Sequence, residues 1–236
     1  MALLGKAAMV LSFDVSPDAI TEHDHWHTHE HVPERLSIPE FLRGSRWVAL
    51  SGNPRYFVLY EVEELSTLTS PAYRERLDNP TPWTAKMMTH YRRMTRGFCK
   101  VTGSCGLGIG HVGLLIRLKP APGKDAALRK WLVEEQLPEL PLKPGLASGH
   151  LLEAALTPQI TTEQRIRGKD APVDWVLFVT GYSPESVALV SESGLSDQEL
   201  IRHGAAGLAS GVYRMEYSLT DREIAMQNAP SGPRIK

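Results

Sequence analysis

Trp26–Glu34 reads WHTHEHVPE, and Trp131–Glu139 reads WLVEEQLPE. The two segments lie 105 positions apart, and Trp, Glu, Pro and Glu recur at the same offsets. The chain reads as one unit written twice. His27, His29 and His31 of the first copy stand where the second has Leu132, Glu134 and Gln136. Residues kept by both copies are expected to build the fold. Residues confined to one copy are the better candidates for chemistry.

Working outward, 8–13 is apolar and β-prone. Ser16-Pro17-Asp18 then offers cap chemistry for a helix over 19–31, which Pro33 and Pro39 are expected to break into a loop. Strands follow at 45–50 and 55–63. The second has Tyr56, Val58, Tyr60 and Val62 on one face and Phe57 and Leu59 on the other. A helical stretch over 65–88, interrupted at 79–82, leads to a strand at 97–101. The order is β-α-β-β-α-β, the ferredoxin-like unit. The second half repeats it: strand 111–118, helix 123–137, strands 148–156 and 174–182, helix 184–203 and strand 211–217. Gly97-Phe98-Cys99-Lys100 aligns with Gly211-Val212-Tyr213-Arg214. GSCGLGIG at 103–110 lies between two strands and reads as a linker, since a dinucleotide loop would open a helix. The main length difference is a polar insertion over 157–172, a loop of the kind that covers or borders sites.

This division gives an N-terminal repeat over 1–106 carrying the site, a mainly structural C-terminal repeat over 107–221, and a flexible tail over 222–236. A four-stranded sheet with helices on one face leaves its other face bare and apolar. The two repeats are therefore expected to pack sheet to sheet, as an α+β intrachain pseudo-dimer with an eight-stranded barrel-like core.

With 236 residues, a core of this size needs no disulfide or metal staple. The net charge of −1, from 26 basic and 27 acidic residues, carries no electrostatic signature of nucleic acid or an anionic membrane. No apolar run approaches the ~20 residues of a membrane span. Two cysteines, Cys99 and Cys105, and a start without signal-peptide order suit a reduced cytoplasmic setting. The pseudo-dimeric chains could associate further into homo-oligomers.

The helix-loop segment Glu30-His31-Val32-Pro33-Glu34-Arg35-Leu36, followed by Ile38-Pro39-Glu40-Phe41, resembles the EthD-like members of the dimeric α+β barrel superfamily. It matches their histidine-x-proline stretch and the turn after it. The second copy keeps Pro138 and Pro144-Gly145-Leu146 but has Gln136 for the histidine, and the first has Glu40 where the turn's glycine is usual. The β-α-β-β-α-β order extends the resemblance over 1–221. It implies a small-molecule pocket in the N-terminal half, with His31 in the motif position. The superfamily spans cofactor-free monooxygenases, cyclases, isomerases and haem enzymes, so fold alone does not choose a reaction.

Five histidines fall within nine residues: His23, His25, His27, His29 and His31. On a helix, His23, His27 and His31 share one face. For His23, His25 and His29 a solvated polar face is the favoured reading. For His31, assisted by His27, it is acid–base catalysis. Metal binding by His23, His27 and His31 is the alternative, with Glu30 or His90 as a further ligand. Glu30, Arg46, Tyr60, Trp83 and His90 are candidate substrate contacts. Arg46 begins a strand at the expected pocket mouth, and the Tyr60 hydroxyl needs a partner or a pocket. Ser12 reads as pocket-lining or merely tolerated. Neither a nucleophile elbow nor a glycosidase carboxylate pair is present.

The leading expectation is an enzyme without an organic cofactor, moving a proton on a small aromatic or carbonyl metabolite in lyase, isomerase or cyclase chemistry. The alternatives are a non-catalytic binder of a small hydrophobic ligand and a metal- or haem-dependent enzyme.

Overall fold

The structure, a computed structural model, describes residues 2–156 and 160–228. The first repeat runs β1 (Ala7–Val15), α1 (Ile20–Trp26), a π-helical turn (His27–His31), α2 (Val32–Leu36), β2 (Phe41–Gly52), β3 (Tyr56–Val62), α3 (Pro71–Asp78), α4 (Pro82–Met88) and β4 (Tyr91–Gly106). The second runs β5 (Val112–Pro120), α5 (Asp125–Lys130), a π-helical turn (Trp131–Gln136), α6 (Leu137–Glu139), β6 (Leu146–Leu156), α7 (Thr162–Arg167), β7 (Ala171–Pro172), β8 (Trp175–Gly181), α8 (Pro184–Val190), α9 (Asp197–Arg202) and β9 (Ala205–Thr220). A last helix, α10, spans Asp221–Asn228.

Strand order is β4-β1-β3-β2 in the first repeat and β9-β5-β8-β6 in the second, which is the same topology twice. Antiparallel pairing of β2 with β9 and of β4 with β6 closes the eight strands into a barrel. Strand alternation sorts the apolar residues into three layers. Phe57, Leu59, Trp47, Leu115, Phe178 and Tyr213 fill the barrel. Tyr56, Val58, Tyr60 and Val62 face the N-terminal helices. Leu114, Ile116, Leu177 and Val179 face the C-terminal ones. The barrel is therefore a packed core, and space for a ligand lies between sheet and helices.

Pro33 does not end the first helix, as its sequence position suggested. The Val32 backbone N–H donates to the His27 carbonyl, five residues back, so the helix widens by one residue before the proline. A proline in an α-helix lacks a donor and clashes with the carbonyl four residues earlier, and the wider turn accommodates both. Leu137 donates to the Leu132 carbonyl in the same way, just before Pro138. The two segments that revealed the repeat thus encode the same helical irregularity. In the following turn Glu40 adopts φ 70, close to the φ 88 of Gly145, so the missing glycine does not change the backbone path.

Other expectations shift. β4 starts at Tyr91 and β2 at Phe41, earlier than the apolar pattern indicated, and the extensions include Arg96 and Arg43, which pair with Asp170 and Glu61. The polar insertion is not a plain loop: it contains α7, and β7 pairs parallel with β4 at Thr95 and Arg96. The expected tail begins with α10, whose Ile224 packs on the N-terminal core, and 229–236 lies outside the described residues. The insertion's 157–159 also lies outside them.

Candidate active site

Between the N-terminal sheet and its helices lies a cavity of about 30 Å³. Its polar lining is His27, His31, Tyr60, Tyr73 and Tyr91 with Arg35, Arg96, Glu163 and Arg167, set among Met9, Leu11, Phe13, Met88 and Met94. β1 and β3 supply the floor. The helix turn supplies the histidines, and α7 covers the opening.

His27 and His31 are 2% and 7% exposed, so both imidazoles sit in protein rather than water. Their rings are 5.5 Å apart, and the His31 ring lies 4.4 Å from that of Trp26. The Nδ1 atoms of both histidines and the Tyr60 hydroxyl have no hydrogen-bond partner among the described residues. Burial holds both imidazoles well below the ordinary histidine value, reinforced by neighbouring His23 and by Arg35. They are neutral near pH 7 and therefore able to accept a proton. Buried polar atoms without partners are rare and costly, and three on residues that line one cavity mark it as built for something other than stability.

His23 is not part of a solvated face. It is fully buried, with Nδ1 3.1 Å from Asp24 Oδ1 and Nε2 3.2 Å from the Tyr91 hydroxyl. With Nδ1–H donating to Asp24, Nε2 accepts from Tyr91. The chain Tyr91–His23–Asp24 thereby joins the cavity wall to a carboxylate that is 27% exposed. His25 and His29 are exposed, as expected, and the His29 Nδ1 lies 3.1 Å from the His25 carbonyl.

Of the other candidates, the structure brings Tyr60 into the cavity and leaves four outside its lining. Glu30 accepts from Trp26 Nε1 at 3.1 Å, Thr81 Oγ1 at 2.6 Å and Thr84 Oγ1 at 3.3 Å. It clamps the indole that packs against His31 and does not bond to either histidine. Arg46 donates to the Asp24 carbonyl and Thr28 Oγ1, with its guanidinium over Tyr217. Trp83 donates to Glu22 and packs against His25 on the outer face. His90 accepts the Ser16 backbone N–H through its carbonyl. Ser12 is buried without a hydroxyl partner on a strand position that alternates into the barrel, not into this cavity.

Sequence reading missed Arg35, Tyr91, Arg96, Glu163 and Arg167. The second repeat supplies the signal that could have found them. β1 pairs β3 through Ala7 and Val62, and β5 pairs β8 through Val112 and Gly181, so the registers superpose. In that frame Leu132, Gln136, Leu140, Val179 and Ala205 replace His27, His31, Arg35, Tyr60 and Tyr91. The polar wall belongs to one copy.

The metal alternative does not fit. Both ring nitrogens of His23 are engaged, and no group of three or more His, Cys, Asp or Glu side chains placed to hold a metal ion occurs among the described residues. The cavity as it stands is about a tenth of the smallest drug-sized pocket, ~300 Å³, so any aromatic ligand requires it to open.

These features define a dimeric α+β barrel contained in one polypeptide, with a histidine-lined cavity in its first half. Comparison with known proteins agrees on the fold. An anthrone oxidase-like protein superposes with a TM-score of 0.67 at 10% identity, covering 94% of this chain and 96% of that one. Candidate monooxygenases from Lactobacillus acidophilus NCFM and Fusobacterium nucleatum subsp. nucleatum ATCC 25586 each give 0.59. Their identities are 8% and 11%, with 91% and 92% of this chain and 96% of each of theirs covered. No protein-family model matches the chain, and no curated protein matches it in sequence. No helix among the described residues is long and apolar enough to cross a membrane.

Proposed function

We propose that the chain is an EthD-like enzyme that takes a proton from a small aromatic or carbonyl compound without an organic cofactor. The observation that carries this is the pair of buried, neutral imidazoles, His27 and His31, which line one cavity and whose Nδ1 atoms have no hydrogen-bond partner among the described residues. His31 serves as base and His27 as its neighbour on the wall. Tyr60, which lines the same cavity, serves as the donor to the oxygen on which negative charge develops. The hydrogen-bonded chain Tyr91–His23–Asp24 runs from the cavity wall to a part-exposed carboxylate. The product of this step is a resonance-stabilised anion. Reprotonation or elimination from it gives isomerase or lyase chemistry.

A second reading shares the first step. The structural neighbours include an anthrone oxidase-like protein and candidate monooxygenases, which supports capture of the same anion by dioxygen. A panel of enolisable ketones and hydroxyaromatic carbon acids, with anthrone first, separates the two. Under nitrogen in D2O, the enzyme is expected to speed deuterium uptake at the acidic carbon. His31→Gln should slow that exchange by roughly 10²–10⁴-fold, the usual worth of a positioned base. Oxygen consumption on admitting air supports the oxidase reading, and unchanged exchange in His31→Gln sinks both.

A further inference from the structure

The cover of this cavity is built inside out. Of the apolar residues on and beside α7, Ile160 is 66% and Ile166 36% exposed, whereas Glu163 is 2% exposed and faces inward. The Arg167 and Asp170 side chains are buried at 3% and 6%. A helix normally buries its apolar stripe and solvates its charges. This one is held to the protein by charge. Glu163 pairs with Arg35 on α2, and Asp170 Oδ2 lies 3.1 Å from Arg96 Nε on β4. Arg167 bridges Glu163 and Asp170 within the segment itself. Gly168, at φ 97, ends the helix in a conformation that suits glycine.

Both arginines belong to the body of the site, and both carboxylates arrive from the insertion. The second repeat has Leu140 where Arg35 stands and Ser210 where Arg96 stands, so the barrel itself does not call for these cations. A second hollow of about 80 Å³ adjoins the cavity and shares Tyr73, Leu77 and Arg96 with it. Its other walls include Leu68 and Phe98, and Thr161, the N-cap of α7, forms its edge. Displacing α7 would take Glu163 from Arg35, which keeps Glu34 at 3.2 Å, and would join the two hollows along one apolar, aromatic wall.

We propose that Arg35 and Arg96 form an anion-binding subsite for an aromatic substrate bearing a carboxylate or phenolate, and that Glu163 and Asp170 occupy this subsite in the closed form. The inference rests on reading the cavity as the active site, and it names the substrate class. The substrate's anionic group displaces the lid carboxylates, and its ring takes the wall of Leu68, Leu77 and Phe98. The bound anion sits within reach of the histidine wall, where the arginines also stabilise negative charge formed on proton removal.

Benzoate and its neutral isostere benzamide test this by titration calorimetry on the full chain. The wild type is expected to prefer benzoate. Glu163→Gln with Asp170→Asn should tighten benzoate binding by about tenfold, because the subsite is no longer occupied from within. Adding Arg35→Gln should remove that gain. Hydrogen exchange on the wild type gives an independent reading should the variants not fold. Benzoate, and not benzamide, should speed exchange of the α7 amides over 162–167. Equal binding of the two ligands, or lid variants and α7 exchange that ignore benzoate, would overturn the proposal. Neither measurement involves turnover. Loss of the anion preference therefore leaves the histidine chemistry standing, and unchanged proton exchange in His31→Gln leaves the anion subsite standing.

Discussion

The second repeat offers a control for the cost of the site. Leu132 occupies the position of His27, fully buried in an apolar layer. His27→Leu therefore writes the structural version of the repeat into the functional one. In the wild type, His27 Nδ1 is buried without a partner. A buried polar group left unsatisfied costs about 1–3 kcal/mol, and the substitution removes that group while keeping a side chain of similar bulk. At about pH 7.5 the imidazole is neutral folded and unfolded, so proton linkage adds nothing. Unfolding in urea should show a gain of roughly 1–3 kcal/mol, and for a chain of this size each kcal/mol raises Tm by roughly 2–4 °C. Proton exchange on the reactive carbon acid should fall in the same variant. A stabilised, inactive protein is the signature of a residue kept for chemistry. If His27→Leu lost more than about 1 kcal/mol, or kept full activity, the reasoning would be refuted.

Three further outcomes follow from particular contacts. Glu30→Ala strands the Trp26, Thr81 and Thr84 donors. It should cost about 1–3 kcal/mol in urea unfolding. Gly113→Ala would place a Cβ 2.6 Å from Phe178 Cε2 and 3.3 Å from Trp47 Cζ3 in the barrel interior. That overpacking should lower stability by about 1–3 kcal/mol with the cavity residues untouched, as read by thermal unfolding. Burial depresses the pKa values of His23, His27, His31 and His150, the last to about 3. Each contributes stability that is complete above the unfolded value of 6.5 and is lost as pH falls towards its folded value. The slope is at most about 1.4 kcal/mol per pH unit per histidine. Urea midpoints measured from neutral to acid pH should show this decline, shallower in His27→Leu.

The duplicated frame was legible because both copies carry the same tryptophan, glutamate and proline at the same spacing. The histidine face and Tyr60 were legible from one-copy residues and strand alternation. What escaped has physical causes. The π-helical turn is a hydrogen-bond shift that lets a helix pass Pro33, and residue type alone marks that proline as a breaker. Nothing in their local sequence marks Arg35 and Arg96 as buried, and their burial depends on carboxylates brought from more than 70 residues away along the chain. The insertion looked like loop because α7 turns its charges inward, the reverse of the amphipathic pattern. Glu30 matched between copies, which favoured structure. In the first copy it accepts three hydrogen bonds, while its counterpart Glu135 is exposed.

The most direct test of the histidine wall is a long-range ¹H–¹⁵N NMR titration of the imidazoles. His27→Leu and His31→Gln would assign the two cavity signals. The account predicts that both stay in the neutral form as pH falls through the ordinary histidine value of 6.5, with midpoints well below it. Midpoints at or above that value would mean that the pair is charged or solvated, and that the cavity does not hold a neutral base.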